Sequence, residues 1–313
     1  MSNQGSKEVL SHQPVLYHEI INNIQPSSPG HYIDGTVGAG GHAFGILEAS
    51  QPSGRLLGLD VDPQALLLAS QRLSVFGDRS ILLKASFSTM DQQVEQLGWS
   101  KVNGILLDLG VSSMQFDTPN RGFSFRVEGP LDMRFNPSNP INASYLVNNL
   151  PESELADLIW NFGGEPLSHK IARAIIRSRP LETTTQLAKV VAGTVGSHHN
   201  KIHPATRTFQ ALRIMVNQEL KELEDVLPKA LRILESNGRF VVLSFHSLED
   251  RMVKQFFHKE SRDCICPPDQ IMCTCGHKAS VKLITHHTIR PTEEEIKQNP
   301  RARSARLRVV EKI

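Results

Sequence analysis

His31-Tyr32-Ile33-Asp34-Gly35-Thr36-Val37-Gly38-Ala39-Gly40-Gly41-His42 is the stretch from which the fold can be read. A short apolar run ends in the carboxylate of Asp34 and passes through a glycine-rich turn into a helix. Glycine belongs where the backbone takes a positive φ or lets a ligand come close. A strand, a glycine turn and a helix in succession form the nucleotide-cofactor cradle of an open α/β sheet.

The same alternation recurs on both sides of this stretch. Apolar runs at 55–60, 81–85 and 104–110 read as strands, and helical spacing predicts helices over 12–24, 44–49, 64–73 and 90–97. Apolar runs that alternate with helices imply parallel strands buried on both faces. Beyond Gly110 the alternation stops. Residues 112–142 are rich in Pro, Gly, Asn, Phe and Arg, and an irregular stretch of that length inside a compact chain is usually functional. Helical patterns follow at 153–162, 167–177, 185–194 and 204–234. A fifth strand at 238–246, a helix at 249–259 and a paired edge at 281–288 and 305–310 complete the pattern. The expected fold is therefore α/β, Rossmann-like, with a mostly parallel sheet. Residues 1–114 and 218–313 form its core, and 115–217 form a mostly helical insertion that serves substrate recognition.

Composition narrows the function classes. The chain has 313 residues, 39% of them hydrophobic and 21% charged, with a net charge of +2, so any nucleic-acid contact must come from local basic patches. No apolar run near the start resembles a signal peptide, and no stretch is long and charge-free enough to cross a membrane. All four cysteines fall between Cys264 and Cys275, which is no disulfide framework. A cytoplasmic protein is the expectation.

Two cofactors compete for the glycine turn. A dinucleotide site needs Gly-x-Gly-x-x-Gly, but after Gly38 and Gly40 the third position is Ala43. Asp34, immediately before the loop, would repel a pyrophosphate and suits the cationic amino-acid end of S-adenosylmethionine. Asp60 closes the second strand and can accept both ribose hydroxyls of an adenosine. Asp108 adds a third acid at another strand end. Asp is also common after strands as a plain loop cap, but three acids around one glycine loop favour a sulfonium cofactor over a polyphosphate.

The chain also resembles a known family. The motifs are Asp34-Gly-Thr-x-Gly-x-Gly-Gly-His42, Asp108-Leu-Gly-Val-Ser-Ser113 with Gln115, and Arg121-Gly-Phe-Ser-Phe125 with Gly129-Pro-Leu-Asp-Met-Arg134. To these are added His203-Pro-Ala-Thr-Arg-Thr-Phe-Gln-Ala-Leu-Arg213, Ser244-Phe-His-Ser-Leu-Glu-Asp-Arg251 and Asn299-Pro-Arg-Ala-Arg-Ser304. They resemble the RsmH (MraW) family of 16S ribosomal RNA cytosine-N4 methyltransferases over nearly the whole chain. The resemblance implies a class I S-adenosylmethionine-dependent methyltransferase fold, no catalytic metal, and a cytidine in the decoding region of small-subunit RNA as substrate. Its partner would be that RNA or the assembling 30S subunit, met by a monomer or homodimer. It further implies that Gly40, Gly41 and His42 line the methionine side of the cofactor. Asp60 would hold the ribose, Phe87 border the adenine, and Asp108 and Gln115 complete the pocket.

Methylating an exocyclic amine requires in-line approach of nitrogen to the methyl carbon and an acceptor on an N–H to localise its lone pair. Asp108 is the candidate catalytic residue by position. The Asn/Asp-Pro-Pro-Tyr/Phe motif of many amino-methyltransferases is replaced by Asp108-Leu-Gly-Val, which leaves Phe123 and Phe125 as candidates to stack on the base, with core packing as their other reading. Arg213 and His246 are candidate substrate contacts, and the arginines at 173, 177, 179, 207, 301, 303, 306 and 308 candidate RNA contacts. Four thiols in Cys264-x-Cys266 and Cys273-x-Cys275 suit a tetrahedral structural zinc, although the pairs lack the usual Cys-x-x-Cys spacing and reduced cytosolic thiols are the plain alternative. His198, His199 and His203 read as a polar loop.

Overall fold

The computed structural model describes residues 14–196, 203–270 and 272–313. His198 and His199 lie outside them. The chain divides into two compact units, one of residues up to Gly110 together with Lys221–Ile313, the other Val111–Leu220.

The first unit begins α1 (Tyr17–Ile24), β1 (His31–Asp34), α2 (Gly41–Ala49), β2 (Arg55–Asp60), α3 (Pro63–Leu73), β3 (Ser80–Lys84), α4 (Met90–Gln96) and β4 (Val102–Asp108). The second unit holds α5 (Ser113–Asp117), α6 (Ala143–Asn149), α7 (Glu152–Gly163), α8 (Ser168–Arg177), α9 (Thr184–Val195) and α10 (Thr206–Asn217). The chain then continues through α11 (Glu219–Ile233), β5 (Leu234–Ser244), α12 (Ser247–Glu260), β6 (Val281–Leu283), α13 (Glu293–Gln298) and β7 (Arg306–Lys312).

The strands form one seven-stranded sheet in the order β3-β2-β1-β4-β5-β7-β6. β1 to β5 pair in parallel, and β7 runs antiparallel to both β5 and β6. This is the mostly parallel sheet with a paired edge that the alternation predicts, in keeping with the class I fold that the resemblance implies. Side chains on a strand alternate between faces, so the sheet has two cores. Ile33, Leu57, Ile105, Leu107 and Phe240 face Val94 of α4, Leu227 of α11 and Phe257 of α12. Tyr32, Leu56, Leu106 and Val241 face Ile20 of α1, Ile46 of α2 and Ala69 of α3. Burial on both faces is why these strands read as continuous apolar runs.

The second unit has its own core, including Leu155, Ile159, Ile171, Ile175, Leu187 and Leu212. Among its described residues the only β pairing is a single bridge, Pro130 to Thr183. The irregular stretch braces itself. Arg121 donates from Nη2 to the carbonyls of Arg134 (2.9 Å) and Phe135 (3.0 Å), and the Arg134 guanidinium holds Asp132 at 2.7 Å. Gly122 is needed there: at φ 70° its missing Cβ would lie 2.1 Å from the carbonyl oxygen of Pro130.

Several boundaries move from the expected ones. The expected helix at 204–234 is two helices, because Gln218 sits at φ 50° and breaks the run into α10 and α11. The expected strand at 281–288 shortens to Val281–Leu283. α1 starts only at Tyr17, after Leu16 at φ 52°. β5 starts earlier than Gly238, and Asn237 at φ 65° turns the chain within it.

Candidate cofactor site

Ligands of open α/β sheets bind outside the carboxyl ends of the strands, at the point where strand order reverses. Here that point lies between β1 and β4, which pair directly while β2 continues on the other side of β1. Asp34, Asp60 and Asp108 are the last residues of β1, β2 and β4. The sequence predicted three acids at strand ends, and the topology brings them to one edge.

The glycine turn is shaped by its neighbours. Gly40 sits at φ 78°, and a Cβ there would press on the Cα of Ala69 at 3.3 Å, so a side chain would meet both strain and crowding. It occupies the N-cap of α2 without offering a side-chain cap. The first-turn N–H groups of α2 thus have no capping side chain, and a helix N-terminus in that state favours an anionic group such as a carboxylate. His42 lies in this turn, only 5% exposed, with neither ring nitrogen hydrogen-bonded among the described residues. Its ring stacks against Tyr17 at 6.1 Å, and its Nε2 stands 3.7 Å from Oδ2 of Asp108. Burial, then the charge of Arg72, push its pKa down to about 3, so the imidazole is neutral.

The carboxylates are positioned by backbone amides. Gly38 N–H donates to Asp60 Oδ2 at 3.0 Å and Asp62 N–H to Oδ1 at 2.9 Å. Thr36 N–H donates to Asp34 Oδ1 at 3.2 Å, while Asp108 N–H donates to Thr36 Oγ1 at 2.7 Å. Burial raises all three acids. Asp60 reaches about 6 despite the amides that favour its charge. Asp34 reaches about 7, with Asp60 adding to the effect of burial. Asp108 reaches about 8, because Asp34 and Glu249 repel its charge after burial has disfavoured it. Three crowded carboxyls that resist ionisation are stabilised by a ligand that brings positive charge and opposed by one that brings phosphate.

Phe87 follows β3 in a single 3₁₀ turn. Its Cβ would lie 3.0 Å from a Cβ added at Gly35, which places it against the start of the glycine loop. The residues present therefore fit S-adenosylmethionine: an adenosine acceptor at Asp60, an aromatic wall at Phe87, an uncapped helix start, a buried neutral imidazole with free ring nitrogens, and acids for the sulfonium.

Other predicted residues have local duties. In the second unit Gln115 is 5% exposed and forms a capping box with Ser112, its N–H donating to Ser112 Oγ at 3.2 Å and its Oε1 accepting from Ser112 N–H at 3.1 Å. Arg213 makes a bidentate pair with Glu219 at 2.8 and 2.7 Å. Arg179 donates to the carbonyls of Val147 and Leu150, and Arg173 pairs with Glu152. Phe123 is 6% exposed and stacks on Phe135, and Phe125 packs on His203 and Phe209. Both aromatics thus serve the core of their own unit. In the first unit His246 caps α12, with Nε2 3.0 Å from Glu249 Oε1. Arg306 and Arg308 are tied to Asp250, whereas Arg301 and Arg303 stay exposed.

One surface was not singled out from the sequence. Arg251, Lys254, Gln255, His258, Lys259 and Arg262, with Ile265 of the following loop, line an open groove of about 800 Å³ along α12. The signal was present, since positions 251, 254 and 258 share one helical face and Arg262 follows just beyond the helix end. It was hidden because the chain as a whole is nearly neutral.

Comparison with known proteins shows the family. The model of the MraW methylase family matches residues 9–313. A ribosomal RNA small subunit methyltransferase H of Dehalococcoides mccartyi is 50% identical over 302 residues, covering 96% of this chain and 86% of that protein. The proteins of the same name from Thermomicrobium roseum and Heliobacterium mobile are each 48% identical, covering 97% and 96% of this chain and 94% and 99% of their own lengths. The chain belongs to the MraW methylase family and is an S-adenosylmethionine-dependent methyltransferase.

Proposed function

We propose that this enzyme methylates the N4 amine of a cytidine in the decoding region of 16S ribosomal RNA. The observation that carries the reading is the placement of Asp108. It ends β4 at the switch point, beside His42, in a crevice whose other acids suit a cation. The specific nucleotide rests on the resemblance of the motifs, and relatives bearing the ribosomal RNA methyltransferase name at about half identity support an RNA substrate.

When bound, S-adenosylmethionine supplies a methyl group already activated by its sulfonium, so no metal is required for the transfer. Asp60 holds the ribose hydroxyls through oxygens oriented by the amides of Gly38 and Asp62. Gly40, Gly41 and His42 receive the methionine end, and Phe87 borders the adenine. Asp108 accepts a hydrogen bond from the cytosine amine, which localises the nitrogen lone pair for in-line attack. Asp108 would receive the proton that the amine loses on methylation, with S-adenosylmethionine leaving as its neutral thioether. Burial and the charges of Asp34 and Glu249 raise the Asp108 pKa to about 8 in the empty site, and the sulfonium charge would favour its ionised form, which is the form able to take the proton. The target base must leave its stack, because the amine is otherwise engaged in pairing.

The groove along α12 is the candidate for RNA phosphate contact, since it gathers Arg251, Lys254, Lys259 and Arg262 on one surface, with Lys259 4.0 Å from Glu260. Replacing Arg251, Lys254 and Arg262 together by alanine is expected to weaken binding to small-subunit RNA by roughly ten- to a hundredfold at moderate salt. It should also lower the slope of log affinity against log salt by about 2, at about 0.7 for each single-stranded phosphate contact. Equal salt slopes for the variant and the parent would remove this groove from the RNA path.

The function is tested by transfer of labelled methyl to immature small subunits and to free 16S RNA, followed by digestion to nucleosides. N4-methylcytidine is the expected product. A different methylated nucleoside, or transfer to DNA or protein instead, would overturn the reading.

A further inference from the structure

The loop between α12 and β6 raises a stability problem. Among its described residues from Ser261 to Ser280, none is buried, and the large apolar side chains among them, Ile265 and Met272, are 41% and 76% exposed. A segment with no core of its own needs a covalent or metal staple to hold one shape. Hydrogen bonds tie the end of the loop to α12 and to the loop's own start: Ser280 N–H donates to the Glu260 carbonyl at 2.8 Å and His277 Nε2 meets the Lys259 carbonyl at 3.0 Å, while Ala279 N–H donates to Asp263 Oδ1 at 3.2 Å.

At the tip the four cysteines converge. Their Sγ atoms all lie within 4.8 Å of one another, with Cys273 to Cys275 at 3.6 Å and Cys275 to Cys264 at 3.9 Å. Zinc bound at 2.3 Å by a tetrahedron of thiolates places its sulfurs about 3.8 Å apart. A disulfide needs about 2.05 Å, and all four thiols are free. An iron–sulfur cluster, whose sulfurs bind different irons, needs a wider cage than this one. The Ile265 N–H points at Cys275 Sγ from 3.5 Å, the kind of backbone donor that supports a metal-bound thiolate.

We propose that Cys264, Cys266, Cys273 and Cys275 form a structural Zn²⁺ site that holds the loop and, through Ile265, one wall of the basic groove. The methyl-transfer chemistry does not need this ion, and the proposal is independent of the substrate assignment. Closed Cys₄ sites of this kind contribute folding free energy and carry no open position for catalysis. The two Cys-x-Cys pairs are shorter than the familiar spacing, and the turn between them brings their sulfurs to bonding distance of one ion.

The test uses the full chain, purified under reducing conditions with zinc in the medium. Elemental analysis should find about one zinc per chain. A C264S/C273S variant, which takes one ligand from each pair, should retain less than about a tenth of that, while its far-ultraviolet circular dichroism and S-adenosylhomocysteine binding match the parent. If that variant fails to fold, the parent chain alone decides: Co²⁺ added after zinc removal should give the visible and thiolate charge-transfer bands of a tetrahedral sulfur site. Chelation should raise hydrogen exchange in residues 261–280 and leave the sheet unchanged. Less than about a tenth of an equivalent of zinc in the reduced parent, iron in its place, or loss of the free thiols to disulfides would overturn the assignment.

Discussion

Replacing Asp108 by alanine is expected to lower the rate of methyl transfer by about a thousandfold, within the 10²- to 10⁴-fold range of a positioned acid–base group. Asp108 ends β4, where its backbone N–H donates to Thr36 Oγ1, and its carboxyl stands 3.7 Å from His42 Nε2. Removing it takes away both the acceptor that localises the amine lone pair and the base that receives its proton. Asp108→Asn separates these duties, because the amide keeps an acceptor oxygen but cannot take the proton at neutral pH. It should restore cofactor affinity more fully than rate. Single-turnover transfer and direct cofactor binding measure the two separately. A variant with the parent's rate and affinity would exclude Asp108 from the chemistry.

Asp250→Ala is expected to cost about 3 kcal/mol of stability, the magnitude seen when one partner of a buried ion pair is deleted. Asp250 leaves α12 to accept from Arg306 Nη1 at 2.8 Å and from Arg308 Nε at 2.7 Å, both on β7. Asp250 is 7% exposed and Arg308 9%, so the variant strands a guanidinium in a nearly closed setting. Burial acts to raise the Asp250 pKa, but the hydrogen bonds and charges of Arg308 and Arg306 outweigh it and hold the carboxyl below its ordinary value. A depressed folded-state pKa stabilises above the unfolded value and is lost as pH falls through the folded value. The difference between parent and variant should therefore be full at neutral pH and shrink in acid below the ordinary carboxylate range. Urea unfolding at neutral and acid pH measures it, and a neutral-pH loss under about 1 kcal/mol would show that the pair contributes little.

Asp250 also shows where sequence reading stops. The Ser244–Arg251 motif and the Arg301–Arg308 alternation each drew attention, but nothing in a linear chain says that α12 and β7 lie together. The four basic positions from 301 to 308 looked alike, and only packing separates the exposed Arg301 and Arg303 from the two that brace Asp250. Arg213 and Arg179 follow the same rule, since each is bound by groups distant or unremarkable in sequence. Phe123 and Phe125 could be read as base-stacking or core, and their ring partners come from segments ten to eighty residues away.

By contrast, the sheet was legible because parallel strands buried on both faces announce themselves as apolar runs, and each run that ends in an acid points to the ligand edge. The site was legible for the same reason: Asp34, Asp60 and Asp108 are local signals repeated at strand ends. Boundaries shifted where single residues take left-handed conformations, as Gln218 and Leu16 do, because no local signal marks a non-glycine residue at positive φ.

The central claim is that these three acids make the crevice a site for a sulfonium cation. With pKa values near 7 for Asp34, 6 for Asp60 and 8 for Asp108, protons remain on the crevice at pH 7 before a ligand binds. A cation favours the ionised forms, so binding S-adenosylmethionine releases protons, and its affinity rises with pH up to the highest of these values. If one proton leaves, the rise approaches about tenfold per pH unit. S-adenosylhomocysteine has the same adenosine and amino-acid groups without the sulfonium charge. Calorimetry of both ligands between pH 6 and pH 8, in buffers of different ionisation enthalpy, therefore isolates the effect of that one charge. The account predicts greater proton release and a steeper gain of affinity with pH for S-adenosylmethionine than for its neutral product. Equal release and parallel pH profiles for the two would contradict it.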